Sequence, residues 1–256
     1  MNEISIIPEL VFAKLCKMNP NKSQGPDGIY PKILSECRHE IYTCLAKIFS
    51  DSLCKRTLPE DWKISTIVPI FKKGSKHDPL NYRPVSLTSV PCKIMESILS
   101  DFILSHFLNN NLFHGNQYGF MKGKSTSLQL LKIMNLWTSA LDQGKQVDII
   151  YTDFEKAFDK VPHKKLIYKL KCYRLHDTLI GWIENFLTTR HFQVKVNDQL
   201  SSRHKVLSGV PQGSVLGPLL FVIYINDVFQ ACDVEGLNIF LFADDAKIFR
   251  IINSVD

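Results

Sequence analysis

No C-x-x-C pair occurs among the seven cysteines (Cys16, Cys37, Cys44, Cys54, Cys92, Cys172 and Cys232), and their number is odd. None of the eight histidines stands at zinc-ligand spacing beside them. A disulfide framework and a zinc module are both disfavoured, so a reducing, intracellular setting is expected, nuclear or cytoplasmic. The first ten residues, MNEISIIPEL, carry Glu3 and Glu9 and lack a basic start before an apolar core, so no signal peptide is expected. Long hydrophobic runs are missing too. Val206–Asn226 is free of charge, but Pro211, Gln212, Gly213, Gly217 and Pro218 interrupt it, and only LLFVIYI is densely apolar. A membrane helix needs about 20 predominantly apolar residues. The segment reads instead as a Gly/Pro loop entering a buried helix, with no membrane partner. No repeat, low-complexity tract or Gly/Ser linker divides the chain.

What is present is enough to fold. The 256 residues are 45% hydrophobic and 11% aromatic, which excludes disorder as the main state. Lys and Arg (31) exceed Asp and Glu (25), giving a net charge of +6. That excess admits a polyanionic partner without establishing one. Composition sets no oligomeric state.

Helical spacing runs through residues 3–18, then yields to the turn-rich NPNKSQGPDGIYP and resumes from Lys32 to Leu53. ISTIVPIF and YRPVSL read as strands around the basic loop KKGSKHDPLN. Five prolines from Pro59 to Pro91 place this pair at a sheet edge or in a projecting hairpin. Helices are expected over 92–108, after a cap at Ser125 or Thr126, from Pro162, and over 177–189. FQVKVNDQLSSRHKV reads as a hairpin turning at Asn197-Asp198. VDIIYTD is an apolar strand, and LNIFLFADDAKIF reads as two strands meeting at Asp244-Asp245. The alternation of strands and helices gives an α/β or α+β unit.

Three carboxylates stand out. Asp153 ends one apolar strand, and Asp244 and Asp245 sit at the tip of an apolar hairpin. An isolated Asp-Asp is most simply a turn. Here the apolar flanks weaken that reading, because ionised groups held by buried strands need a partner or a metal. Hard oxygen donors without nearby Cys or His suit Mg²⁺ or Mn²⁺, and such a set can hold two ions for phosphoryl transfer. The glycines of GVPQGSVLGPLL let backbone approach a ligand closely, or simply turn into a core helix. Lys72, Lys73, Lys76 and Arg83 suit a triphosphate, or form a solvated basic turn.

Read together, NKSQGPDGI, WKISTIVPIFKKG…NYRPVSL, NQYGFMKGKST, YTDFEKAFDKV, GVPQGSVLGPLLFVIYIND and FADD give the chain a family resemblance. It resembles the reverse transcriptase domain of non-LTR (LINE-type) retrotransposons, from about Pro20 to Phe249 and in the family's motif order. The last three motifs in succession are the specific ones.

The resemblance implies an α+β, right-hand polymerase fold with fingers mainly over 1–145, behind an N-terminal extension, and palm mainly over 146–256. It implies RNA-templated addition of dNTPs to a DNA primer's 3′-hydroxyl, with two Mg²⁺ or Mn²⁺ ions. By position, Asp153, Asp244 and Asp245 become the catalytic aspartates, and Phe154 lends a backbone carbonyl to the metals. Lys72, Lys73, Arg83, Phe158 and Gln212 become nucleotide-binding residues, with the Phe158 ring beneath the sugar. Gly25, Asp27, Gln117, Lys122 and Lys124 fall in template-contacting segments, where lysines replace the arginines expected in FMKGKST. The chain stops eleven residues after Asp245, so a thumb is expected to be absent, and there is no room for an upstream endonuclease. The alternative expectation is an inactive retrotransposon remnant that binds nucleic acid weakly at most. A viral-type RNA-dependent RNA polymerase is disfavoured by Phe158, where that class keeps a small polar residue.

Overall fold

The computed structural model describes Met1 and residues 3–252. The expected 1–256 domain includes Asn2 and residues 253–256, which lie outside the described residues. In chain order the helices are α1 (Pro8–Cys16), α2 (Pro31–Glu36), α3 (Arg38–Lys55), α4 (Val90–Asn109), α5 (Thr126–Asp142), α6 (His163–Cys172), α7 (Asp177–Thr188), α8 (Leu216–Ile225) and α9 (Val228–Ala231). The strands are β1 (Ile64–Phe71), β2 (Tyr82–Leu87), β3 (Gln146–Thr152), β4 (His191–Val196), β5 (Gln199–Leu200), β6 (His204–Lys205), β7 (Leu237–Phe242) and β8 (Asp245–Ile252). They form two compact units, neither continuous in sequence. One comprises Met1–His106 and Phe158–Gly217; the other comprises Phe107–Ala157 and the chain from Pro218 onward. Among the described residues no helix is long and apolar enough to cross a membrane.

In the first unit, α1 is shorter than its apolar spacing suggested. Pro8 restricts the residue before it, and Ile7 is extended (ψ 152°). The expected helix over 32–53 is two helices that meet at Cys37, which caps one and opens the next. Helix α3 closes through Arg56 in the left-handed region (φ 55°), with the Thr57 N–H bonded to the Ser52 carbonyl at 3.1 Å. Ring packing fixes the core: Phe49 meets Trp62 edge-on at 5.8 Å, and Trp182 stacks on Phe186 at 5.4 Å. The Trp182 indole N–H donates to Ser52 Oγ at 3.0 Å, so its polar edge is not stranded.

The sheet of this unit runs β2-β1-β4-β5, with β6 also on β4. β1 is antiparallel to β2, and β4 lies parallel to β1 over Ile64–Ile67. Beyond that stretch β1 and β2 continue as a two-stranded ribbon, where Pro69 faces Pro84. Neither proline therefore removes a bond to β4, which is what the proline content required. The β4–β5 hairpin turns at Asn197 (φ 48°) and Asp198 (φ 63°), the two positive-φ positions of a type I′ turn.

The second unit is built on the antiparallel sheet β3-β8-β7. Its core is Tyr118, Ile133, Phe240 and Phe249, with Leu136, Trp137, Val147 and Phe242 packed against it. Ser125 caps α5 by accepting the Leu128 N–H at 3.1 Å, and Trp137 from that helix meets Phe249 edge-on at 5.6 Å. The β7–β8 loop is two residues long, because Phe242 pairs with Asp245.

Candidate active site

The second unit brings the three predicted aspartates to one end of its sheet. Thr152 pairs with Ala246, so Asp153 leaves β3 beside the start of β8, where Asp245 stands, and Asp244 occupies the hairpin loop. Asp153 and Asp245 are exposed and Asp244 is partly buried. Phe154, half exposed, follows directly. A pocket of about 260 Å³ opens here, lined by Thr126, Gln129, Tyr151, Asp153, Asp245 and Lys247 among others. Lys247 donates to Gln129 Oε1 at 2.8 Å across the pocket wall.

Electrostatics within the cluster are frustrated. Burial raises the Asp244 carboxyl above its usual value, its own backbone N–H pulls it down, and the charges of Asp245 and Asp153 push it up again. The folded state thus holds the Asp244 proton more tightly than the unfolded state does. Its contribution to stability is present at low pH and is lost as pH rises from about 4 through the raised value. Asp244→Asn should remove that decline. Repulsion among partly exposed carboxylates is worth at most about 1 kcal/mol. The metal-free variant should therefore melt higher at pH 7 by no more than roughly 2–4 °C, with a flatter pH profile of melting temperature. An unchanged or lower melting point would show that the repulsion is already relaxed.

The first unit holds the remaining candidates. Lys72, Lys73 and Arg83 are exposed at the end of the β1–β2 ribbon, Arg83 opposite Ile70. Phe158 is partly buried, and its carbonyl accepts the Val210 N–H at 2.8 Å. The Gly209 N–H reaches the Val161 carbonyl at 2.8 Å, and a Cβ on Gly209 would fall 2.7 Å from the Phe158 carbonyl oxygen. Gln212 donates through Nε2 to Asp159 Oδ1 at 3.0 Å, and its carbonyl accepts the Ser86 N–H at 2.9 Å. So Phe158 and Gln212 are brought together, against β2. Gly25 is wedged against backbone, where a Cβ would lie 2.6 Å from the Thr88 carbonyl oxygen. Asp27 is partly buried and accepts the Ile29 N–H at 3.3 Å.

Back in the second unit, the template candidates separate. Lys122 is exposed, whereas Gln117 is fully buried. Lys124 donates to the carbonyls of Gly115 and Gln117 and lies 4.9 Å over the Tyr118 ring. Both are committed to bonds inside the unit.

Comparison with known proteins decides the family. The profile described as "Reverse transcriptase (RNA-dependent DNA polymerase)" matches residues 70–251. The chain belongs to the reverse transcriptase family. Over 237 residues it is 30% identical to the "Probable RNA-directed DNA polymerase from transposon X-element" of Drosophila melanogaster, covering 91% of this chain and 26% of the relative. Against the "RNA-directed DNA polymerase from mobile element jockey" of the same fly, identity is 30% over 248 residues, covering 94% and 27%. It is 26% identical over 246 residues to the "Retrovirus-related Pol polyprotein from type-1 retrotransposable element R1" of Bradysia coprophila, covering 93% and 23%. The chain thus spans about a quarter of the length of these relatives. The resemblance to non-LTR retrotransposon reverse transcriptases is borne out, and membership gives this mixed α and β chain the polymerase fold.

Reverse transcriptases work with divalent metal ions, and the donor set here suits one. Three hard carboxylates stand at one sheet end, and the repulsion felt by Asp244 is what a cation would relieve. Among the described residues no three His, Cys, Asp or Glu side chains are gathered closely enough to hold an ion. Two residues escaped the sequence reading. Asp159 braces Gln212, although it lay inside the motif DFEKAFDKV. Glu96 is fully buried in α4; its signal was a lone acid in the apolar run KIMESIL.

Proposed function

We propose that this chain is the polymerising part of an RNA-directed DNA polymerase of a non-LTR retrotransposon. Its substrates would be an RNA template, a DNA primer and dNTPs. The observation that carries the reading is that Asp153 and the Asp244–Asp245 turn reach the same sheet end, in a chain of this family. On this reading residues 1–145 serve mainly as fingers and 146–256 mainly as palm, and no described element is assigned to a thumb.

Asp153, Asp244, Asp245 and the Phe154 carbonyl would hold two Mg²⁺ ions, or Mn²⁺. When bound, those ions supply charge neutralisation at the attacking and leaving oxygens of an in-line displacement. The protein's own share is positioning. Lys72, Lys73 and Arg83, exposed at the end of the ribbon, would neutralise the triphosphate, with Arg83 able to bind bidentately. Gln212, braced by Asp159 and Ser86, would present its loop to the nucleotide and the paired template base. The Gly25–Asp27 turn and exposed Lys122 would touch template phosphates, which fixes register without reading sequence. Gln117 and Lys124 would support the site from inside.

Phe158 would exclude ribose by filling the space beneath the sugar where a 2′-hydroxyl would sit. Burying that hydroxyl unpaired costs about 1–3 kcal/mol, roughly a five- to hundredfold preference for dNTPs. The test is primer extension by the full chain on an RNA template with Mg²⁺, for wild type and Phe158→Ala. Extension with dNTPs, and a higher rNTP-to-dNTP ratio in the variant, is the expected result. A folded wild type that extends no primer with Mg²⁺ or Mn²⁺ would leave the inactive-remnant reading standing.

A further inference from the structure

The two-residue loop between β7 and β8 has an unusual first position. Ala243 lies in the left-handed region (φ 57°), where glycine is the usual occupant. It directly precedes Asp244, so its φ sets where that carboxylate is aimed. Ala243 is also buried, and its N–H lies outside the β7–β8 pairing, which closes at Phe242 and Asp245. A buried amide of this kind needs an acceptor from elsewhere.

The acceptor is Gln117. Its Oε1 accepts the Ala243 N–H at 3.2 Å and the Gly119 N–H at 2.8 Å. Two donors on one oxygen fix which way the amide points. The backbone around Gln117 is stitched to the same hairpin: Tyr118 N–H to the Leu241 carbonyl at 2.8 Å, and Leu241 N–H to the Asn116 carbonyl at 3.0 Å. Gly119 packs so close that a Cβ there would overlap the Ala243 backbone nitrogen. Lys124 ties the Gln117 carbonyl from the other side at 2.9 Å.

We infer that Gln117 is a positioning residue: its carbonyl clasps the Ala243–Asp244 turn and holds the Asp244–Asp245 pair in the conformation that receives the divalent metal. The inference rests on the metal reading of these aspartates. It gives Gln117 a role inside the site instead of a contact with template. The side-chain choice follows from length and charge. Asn is one methylene shorter, and Glu would bury a further negative charge beside a turn that already carries two.

The decisive comparison is Gln117→Met, which keeps the length and removes the acceptor, alone and combined with Ala243→Gly. Three readouts are taken on the full chain: amide hydrogen exchange at Ala243 and Gly119, affinity for Mn²⁺ alone, and affinity for a primer–template. In Gln117→Met, exchange at both amides should quicken and Mn²⁺ affinity should fall, each by about tenfold for one lost bond, with primer–template affinity unchanged. Adding Ala243→Gly should restore most of the Mn²⁺ affinity, because glycine holds a positive φ unaided. A generic packing role would not be rescued this way. Normal exchange and normal Mn²⁺ affinity in Gln117→Met would overturn the clasp, and so would weaker primer–template binding at unchanged Mn²⁺ affinity. If Gln117→Met fails to fold, Gln117→Asn carries the same expectations, with the same rescue. If wild type binds no Mn²⁺, the metal reading falls, and hydrogen exchange alone decides the clasp.

Discussion

Asp153→Asn is expected to reduce primer extension by about a thousandfold or more, the scale on which a preorganised charge at a phosphoryl-transfer site acts. An amide is nearly isosteric with a carboxylate but neutral, and it is a poor ligand for a hard divalent cation. The position makes the experiment clean. Asp153 lies just past the last paired residue of β3 and is exposed, so it carries no ladder bond and no core packing. Substitutions at such sites usually change stability by no more than about 0.5 kcal/mol. Lost turnover with an unchanged melting curve would therefore be chemical in origin. Extension within tenfold of wild type would remove Asp153 from the metal site and with it the two-ion reading.

The aspartates were legible because each is tied to a strong local pattern. Apolar runs marked each strand, although β3 proves largely exposed instead of buried, and a two-residue loop between two strands must sit at a sheet end. The β4–β5 turn and the Ser125 cap were legible for the same reason: the residue types that favour those backbones are few. The break at Cys37 left no trace, since the apolar spacing runs through it. The division into two units was equally hidden, because each unit is assembled from distant segments and only tertiary contacts reveal it. Gln117 shows the limit at a site. The motif NQYG was noticed, but sequence order could not show that its glutamine turns inward toward Ala243, 126 residues later.

Glu96 was missed because a lone acid in an apolar helix leaves little signal, and a large stability effect is expected of it. It is fully buried in α4, and its Oε2 accepts the N–H groups of Val215 and Leu216 at 2.7 and 3.0 Å, where α8 begins. Burial pushes its carboxyl up, while those two N–H groups and the charge of Arg190 pull it down. Arg190 is itself 1% exposed and lies 4.9 Å over the Phe186 ring, and none of its side-chain nitrogens has a hydrogen-bond partner among the described residues. Among the described residues no hydrogen bond joins Glu96 to Arg190, so each acts on the other only through space in the interior of the first unit. Glu96→Ala would remove a through-space attraction on Arg190 and leave two helix-start amides without acceptors. A loss of about 2–5 kcal/mol is expected for two amides left without acceptors, which lowers the melting point of this unit by at least roughly 4 °C. Glu96→Gln separates the two contributions, because it keeps an acceptor for α8 but not the charge. If charge dominates, Glu96→Gln should be nearly as damaging as Glu96→Ala. Adding Arg190→Met to Glu96→Ala should then recover stability, since the buried charge is gone. Function follows from the same bonds. The Val215 and Leu216 amides lie just past the loop that carries Gln212, so on the proposed reading a slackened α8 start should raise KM for dNTPs before the unit melts. A Glu96→Ala protein within about 1 kcal/mol of wild type in stability would show that the Val215 and Leu216 amides find other acceptors.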